Sequence, residues 1–162
     1  MRNNFLVIGS NSFSGAYFIK YLLEKGHNVI GISRSEEPNK VFLPYKWSGD
    51  LANNFEFVQL DLNSNLGEII DLVTAQQPDY IVNFAAQGMV AESWLNPEHW
   101  YQTNVVSQVK LHNELRKLDF ILEIAMKYFS AFQINQALKI FSRRATTSNN
   151  DDMRHGIGSN KY

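Results

Sequence analysis

The first 25 residues constrain the fold more than any other segment. Residues 5–8 are all apolar, residues 9–15 read GSNSFSG, and residues 16–25 place apolar side chains at helical spacing. A strand that is apolar at every position is typical of a parallel sheet covered on both faces. A loop of small residues between such a strand and a helix gathers backbone amides at the positive end of the helix. The pattern therefore predicts an anion site suited to the diphosphate of a dinucleotide.

Strand and helix patterns alternate through the first 120 residues. Further strands are predicted at 28–32, 55–60 and 80–83, with a loop at 34–54. Such alternation predicts an α/β fold, a Rossmann-like doubly wound parallel sheet with right-handed crossovers. Further helices are predicted at 65–76 and 97–118.

Polar residues mark both the predicted helix starts and the strand ends. Asn65 and Asn96 are predicted N-caps, and Glu68 would complete a capping box with the first. Ligands of parallel sheets bind outside the carboxyl ends of the strands, so those ends are predicted to form one rim. The residues at that rim are Gly9, Ser33, Asp61 and Asn83.

Composition excludes several classes of protein. The 162 residues suffice for one domain, and the absence of cysteine excludes disulfides and thiolate metal sites. No histidine motif with metal-ligand spacing, signal-peptide pattern or apolar run of membrane length occurs, so we expect a cytoplasmic protein without metal or membrane association. Residues 121–162 hold six Lys/Arg and three Asp/Glu, a net charge of +3, but these charges are scattered. They indicate a solvated tail rather than a nucleic-acid partner.

The alternating pattern weakens after residue 120. A short apolar strand is expected from Ile121 onward, but the sequence runs into residues 125–129 without a turn signal. Residues 131–140 have helical character, and residues 142–162 are too polar to bury much surface, which predicts disorder. The predicted organisation is a binding domain at 1–120, with an incomplete sheet, and a diverged tail at 121–162.

Three segments in order resemble the extended short-chain dehydrogenase/reductases, the NAD-dependent epimerase/dehydratase family. The loop 9–15 resembles the family's G-x-x-G-x-x-G, although Ser12 stands where the middle glycine is expected. Asp61 with Leu62 resembles the family's Asp-hydrophobic pair, and residues 83–93 are similar to its N-x-A-A-Q segment. A T-N-V sequence centred on Asn104 follows at the family's spacing. The resemblance covers residues 4–120 and is closest to nucleotide-sugar 4,6-dehydratases and their epimerase relatives.

The resemblance implies a dinucleotide cofactor and assigns residues to it. The Asp61 carboxylate would bind the adenine amino group, small side chains at Ala85 and Ala86 would let the chain pass beneath the cofactor, and Asn104 would lie near the active site. The predicted cofactor-binding residues are Gly9, Asn11, Ser12, Phe13, Ser14, Gly15, Ser33, Arg34, Asp61, Leu62, Phe84, Ala85, Ala86, Gln87 and Asn104.

The end of the second strand bears on the choice between NADP and NAD. NAD sites place an Asp or Glu there, on the ribose 2′-hydroxyl. Here the sequence is Ser33-Arg34-Ser35, and Glu36 and Glu37 come later. A hydroxyl and a guanidinium suit a 2′-phosphate, so NADP is favoured over NAD.

The expected catalytic elements are not found. Relatives use a Tyr-x-x-x-Lys pair with a Ser/Thr, and the Tyr followed four residues later by Lys in this chain is Tyr21 with Lys25, on the first helix. We therefore predict no catalytic residue and interpret the chain as a truncated or frame-shifted cofactor-binding part of a GDP-mannose or dTDP-glucose 4,6-dehydratase-like enzyme or epimerase, inactive alone. The nucleotide sugar would bind in a full-length relative, and a homodimer would form through residues 97–118. Alternatives are a non-catalytic regulatory module that binds dinucleotides and an NADPH-dependent flavin or quinone reductase.

Overall fold

The computed structural model describes residues 1–47, 49–88, 90–118 and 123–126. The helix predicted within 131–140 and the disorder predicted for 142–162 lie outside these residues. The strands are β1 (Asn4–Ile8), β2 (Asn28–Ser33), β3 (Phe55–Gln59), β4 (Tyr80–Asn83) and β5 (Glu123–Met126). The helices are α1 (Phe13–Glu24), α2 (Leu66–Gln76), α3 (Val90–Leu95), α4 (Pro97–Tyr101) and α5 (Ser107–Leu115), with a π-helical turn at Gln102–Val106.

The five strands form one parallel sheet with the order β3-β2-β1-β4-β5. The central strand, β1, pairs with β2 on one side and with β4 on the other. The chain therefore reverses its direction of travel across the sheet after β3, which creates a crevice beside the end of β1. This arrangement confirms the predicted doubly wound, Rossmann-like fold.

Helices cover both faces of the sheet. Because side chains alternate along a strand, Leu6 and Ile8 of β1 point to one face and Val7 to the other. The first face packs against α2 and α5, and the second against α1 and the segment that contains Tyr45. Two apolar cores thus hold β1 from opposite sides, and the end of this strand is a fixed point for the loop that follows.

Helix α1 begins three residues earlier than predicted. Its first residue is Phe13, and Ser12 is the N-cap: the Ser12 Oγ accepts a hydrogen bond of 3.0 Å from the Gly15 amide. Serine is among the residues that best satisfy the free amides of a first helical turn, so the helix can start as soon as Ser12 is in place. Residues 13–15, predicted as loop, therefore form the first turn of α1.

Two other helix predictions need correction. Asn65 stands at the N-cap position of α2, but its Oδ1 accepts a hydrogen bond from the Asp61 amide rather than from the helix. The predicted helix 97–118 is interrupted, because the π-helical turn separates α4 from α5. Within the predicted loop 34–54, 3₁₀ turns form at Lys40–Phe42, Pro44–Lys46 and Gly49–Asn54.

A fifth strand, β5, forms in the segment where the sequence pattern weakens. β5 pairs in parallel with β4, with Tyr80 opposite Glu123 and Asn83 opposite Met126. The compact unit ends at Met126, six residues beyond the predicted domain boundary at 120. β5 lies within the segment where a strand is expected from Ile121 onward, and it forms although the sequence shows no turn signal there.

Candidate functional site

A cleft of about 250 Å³ lies where β1, β2, β3 and β4 end. Eleven of the fifteen predicted cofactor-binding residues line it. These residues are Gly9, Asn11, Ser12, Ser33, Arg34, Asp61, Leu62, Phe84, Ala85, Ala86 and Gln87. Of the four predicted rim residues, Gly9, Ser33 and Asp61 line the cleft, whereas Asn83 is buried and does not. The cleft is also lined by Ile8, Ser35, Leu60, Asn63 and Thr103.

Gly9 lies at the centre of the cleft, directly after β1. Its φ of +82° is in the region that favours glycine, and a Cβ there would lie 2.5 Å from the Ala85 amide nitrogen. Gly15 is equally constrained, since a Cβ would lie 2.3 Å from the Gly9 carbonyl oxygen. The two glycines let β1, α1 and the segment after β4 approach one another closely, which brings the start of the helix to the cleft.

The start of α1 presents backbone amides. The Ser12 amide donates to the Gly9 carbonyl and the Gly15 amide to the Ser12 side chain. In the described part of the chain, the amides of Phe13 and Ser14 have no acceptor. Unpaired amides in a first helical turn, next to a strand end, are suited to an anion such as a diphosphate.

The exit of β2, residues 33–37, forms one side of the cleft and is here called the β2 rim. It is tied to the loop after β1 by Asn11, whose Nδ2 donates to the carbonyls of Ser35 and Glu36, each at 2.9 Å. Arg34 is exposed and lines the cleft. Among the described residues no carboxylate pairs with its guanidinium, which leaves this cation available to a ligand.

Glu37 of the β2 rim is engaged elsewhere. Its carboxylate accepts hydrogen bonds from the Tyr45 hydroxyl at 2.8 Å and from Lys46 Nζ. Burial, reinforced by the Glu37 carboxylate, raises the pKa of Tyr45 well above its ordinary value, so the phenol stays protonated and donates. Glu37 does not line the cleft, and therefore it does not supply the carboxylate typical of an NAD site.

The exit of β3 places a carboxylate in the cleft. Asp61 lies two residues after the end of β3, and its Oδ1 accepts a hydrogen bond of 2.9 Å from the Asn63 amide. Asn63 in turn donates to the Thr103 hydroxyl and accepts from the Ser107 hydroxyl. The loop after β3 is thus fastened to the π-helical turn and to the start of α5.

The exit of β4, residues 84–87, forms the opposite side and is here called the β4 wall. Asn104 holds its end at two points: Oδ1 accepts from the Gln87 amide at 2.8 Å, and Nδ2 donates to the Gln87 carbonyl at 2.9 Å. Gln108 Nε2 donates to the Ala85 carbonyl at 2.9 Å. Asn83 completes the contact, since its Nδ2 donates to Gln108 Oε1 at 2.6 Å and its Oδ1 accepts from the Ala85 amide. We call Asn83, Asn104 and Gln108 the amide clamp.

Four predicted residues do not line the cleft: Phe13, Ser14, Gly15 and Asn104. Phe13 is 78% exposed, and its ring contacts Tyr17 on the outer side of α1, because the early helix start turns it away. Asn104 instead forms two hydrogen bonds with the backbone of Gln87 in the β4 wall. Sequence reasoning did not assign Thr103 or Gln108 to the site; polar residues are frequent throughout 97–118, so residue type alone did not single these two out.

Tyr21 and Lys25 form a surface pair on α1. Lys25 Nζ lies 5.7 Å from the centre of the Tyr21 ring, and Tyr21 is 53% exposed. Neither lines the cleft. Their spacing is that of neighbours on one helix face, and the interpretation of this Tyr-x-x-x-Lys match as a coincidence stays a prediction. Within the ranges described above, no three His, Asp or Glu side chains are grouped as metal ligands.

Comparisons with known proteins point to the same part of the chain. The sequence pattern that defines GDP-mannose 4,6 dehydratase matches residues 6–132. The chain belongs to this family. The family match extends beyond residue 120, where the predicted resemblance ended, and it includes β5.

Individual relatives resemble only the N-terminal part of longer proteins. GDP-mannose 4,6-dehydratase of Vibrio cholerae is 29% identical over 147 residues, 88% of this chain and 39% of that protein. The Yersinia enterocolitica protein of the same name is 31% identical over 114 residues, 68% of this chain and 30% of that protein. The chain of this family member therefore spans between 30% and 39% of the length of these relatives.

A solved structure shares the fold. UDP-glucose-4-epimerase from Stenotrophomonas maltophila, with bound NAD and formylated UDP-arabinopyranose, superposes with a TM-score of 0.62 at 20% identity and covers 76% of this chain and 36% of that chain. Within the described ranges, this member of the family has no helix with the length and apolarity needed to cross a bilayer.

Proposed function

We propose that the cleft binds a nicotinamide dinucleotide, with the diphosphate at the start of α1. The observation that carries this proposal is the convergence of four strand ends on one cleft at the start of α1. There Gly9 lets the segment after β4 approach closely, and the Phe13 and Ser14 amides have no acceptor in the described structure. One nucleoside would lie toward β2 and β3 and the other toward β4. Family membership and the NAD named in the epimerase structure support the same ligand class.

The β2 and β3 side suits an adenosine with a 2′-phosphate. The Asp61 carboxylate can accept from an adenine amino group, and Arg34 can pair with a phosphate. Two carboxylates follow Arg34 in sequence: neither Glu36 nor Glu37 lines the cleft, and Glu37 is held by Tyr45 and Lys46. The proposed preference is therefore NADP over NAD, and the residues assigned to the cofactor are those that line the cleft, together with the helix amides of residues 13–15.

This chain would be one part of a larger protein, a nucleotide-sugar 4,6-dehydratase or epimerase. A bound nicotinamide would supply the hydride acceptor for oxidising a sugar hydroxyl, and this chain would bind and orient that cofactor. No tyrosine of the described residues lines the cleft, so we propose binding without turnover by this chain alone. Nucleotide-sugar binding would need parts that the longer relatives have.

Self-association and location are further parts of the proposal. Tyr101, Val105 and Val109 lie at helical spacing and are 62%, 45% and 65% exposed, as expected of an apolar face on residues 97–118. A homodimer would cover this face. A cytoplasmic location would suit a protein that binds this cofactor.

Calorimetric titration of NADP⁺ and NAD⁺ into the full chain tests the proposed function. We expect saturable binding of both, tighter for NADP⁺, and no oxidation of NADPH when dyes or quinones are added. Absence of saturable binding by a folded sample would reject the proposal. NADPH oxidation with those acceptors would instead favour a reductase.

A further inference from the structure

The β4 wall is held by buried side-chain amides rather than by sheet hydrogen bonds. Residues 84–87 continue beyond the last paired residue of β4, Asn83. The Phe84 amide still donates to the Ile8 carbonyl at 2.7 Å, but from Ala85 onward the partners in the described structure come from the amide clamp. Without these amides, the wall would be a free strand end.

Gln108 is the most deeply placed contact from the helical side. It is 3% exposed and Asn83 is 4% exposed. Both polar atoms of the Gln108 side-chain amide form hydrogen bonds: Oε1 accepts from Asn83 Nδ2, and Nε2 donates to the Ala85 carbonyl. A buried amide that loses one partner leaves the other group unsatisfied, which costs more than an exposed hydrogen bond contributes. The wall therefore has one favoured position.

The π-helical turn gives Gln108 its geometry. The Ser107 amide bonds to the carbonyl of Gln102, five residues earlier, instead of to Thr103. The Thr103 carbonyl thus lacks its usual α-helical donor, and Gln108 Nε2 lies 3.3 Å from it. Such turns often occur at functional sites. Here the turn couples the helix backbone, the Gln108 side chain and the β4 wall.

We infer that Gln108 is a positioning residue for the half of the dinucleotide site formed by the β4 wall. The inference rests on the proposed function. Gln108 does not line the cleft, and it acts through the Ala85 carbonyl and the Asn83 side chain. The β2 rim and Asp61 are held by other contacts, from Asn11 and Asn63. Loss of Gln108 should therefore affect one half of the site and spare the other.

The test compares a whole dinucleotide with its adenosine half. NADP⁺ and adenosine 2′,5′-bisphosphate are titrated into the full chain and into the variant Gln108→Met, which keeps the side-chain length and removes the amide. We expect NADP⁺ to bind about tenfold more weakly, because the β4 wall loses its contact at the Ala85 carbonyl, and the bisphosphate to bind unchanged. Gln76→Met, at an exposed glutamine at the end of α2, is the matched control and should alter neither affinity.

Amide exchange supplies a readout that a general loss of stability would not produce. In Gln108→Met, exchange should accelerate at the Ala85 and Gln87 amides and stay unchanged at the Phe84 amide, which bonds to β1. If Gln108→Met does not fold, Gln108→Asn, which keeps an amide too short to reach both partners, carries the same comparison with an effect of about threefold.

Each outcome has a distinct meaning. Selective loss of NADP⁺ affinity supports the positioning role. Equal loss for both ligands, or no change in either, overturns that role and leaves the proposed function intact. A wild-type chain that binds neither ligand overturns the proposed function and the inference with it.

Discussion

The two sides of the cleft are held in place by different kinds of contact. The β4 wall is fixed by side-chain amides of Asn83 and Gln108 that are almost fully buried, with Asn104 beside them. The β2 rim is exposed at Arg34 and is held through Asn11 and through the contacts of Glu37 with Tyr45 and Lys46.

Because of this difference, we expect the two sides to have different roles in ligand binding. Buried amides must all be satisfied together, so the β4 wall has little freedom and can place a ligand accurately. An exposed rim with an unpaired cation can change its charge at small cost to the fold. We therefore expect changes at the β4 wall to affect binding of any dinucleotide, and changes at the β2 rim to affect which dinucleotide is preferred.

The largest effect is expected at the point where the two sides meet. Gly9→Ala would place a Cβ atom 2.5 Å from the Ala85 amide nitrogen, on a residue whose φ is +82°. The free energy of unfolding should fall by about 3 kcal/mol, from backbone strain together with overpacking. Binding of both NADP⁺ and NAD⁺ should disappear, as measured by calorimetry on samples whose folding is checked by circular dichroism.

Gly26→Ala is the matched control for this variant. Gly26 has a similar φ of +80°, but a Cβ there meets nothing within 4 Å. The backbone strain alone should cost about 1 kcal/mol and leave both affinities unchanged. A Gly9→Ala protein that binds as well as Gly26→Ala would show that close approach at Gly9 is not needed for the site.

The next effect concerns the β2 rim. Arg34→Gln removes the unpaired guanidinium while keeping a polar side chain of similar reach. We expect NADP⁺ to bind roughly 10- to 100-fold more weakly, as for loss of a charge-assisted hydrogen bond to phosphate, with NAD⁺ nearly unchanged. Arg116→Gln, at an exposed arginine after α5, should change neither affinity. Equal losses for the two cofactors would contradict the assignment of selectivity to this rim.

Ser12 lies between the two sides and tests the diphosphate position. Its Oγ accepts the hydrogen bond of the Gly15 amide. Ser12→Gly should therefore leave that amide free to donate to the ligand and tighten dinucleotide binding about threefold. The free energy of unfolding should fall by a few tenths of a kcal/mol for Ser12→Gly and by about 1 kcal/mol for Ser12→Ala, because glycine is a better N-cap than alanine. Weaker binding by a stable Ser12→Gly protein would indicate that the serine itself contacts the ligand.

The smallest effect concerns pH and the helix behind the β4 wall. Burial lowers the pKa of His112 on α5. The unfolded chain then takes up a proton at a higher pH than the folded one, so stability should fall as pH decreases through the ordinary histidine range. His112→Gln should flatten this dependence in urea unfolding measured from about pH 8 to about pH 5. An unchanged slope would assign the effect to other groups.

The parts of the fold predicted from sequence are those with local causes. The apolar residues 5–8, the glycine after them and the polar residues at the strand ends sufficed to predict the sheet and most of the cleft lining. The start of α1 was misplaced because Ser12 was interpreted as a substitute for glycine, whereas its hydroxyl caps the helix. A hydrogen bond between residues three apart is local, and a capping interpretation would have found it.

The amide clamp could not be predicted in the same way. Asn83 and Gln108 are 25 residues apart and meet only after β4 and α5 pack on the same core. The engagement of Glu37 likewise depends on the 3₁₀ turn that brings Tyr45 and Lys46 back toward it. Such pairings are set by tertiary packing, so residue type and spacing alone do not indicate them.

Chemical-shift mapping of the ¹⁵N-labelled full chain during titration with NADP⁺ tests the central claim most directly. If the strand ends hold a dinucleotide by its diphosphate, the largest shifts will be at the amides of Phe13 and Ser14, with further shifts at Arg34, Asp61 and Ala85, and few on the outer face of α1. Saturating shifts confined to another surface, with the amides of Phe13 and Ser14 unmoved, would contradict the account.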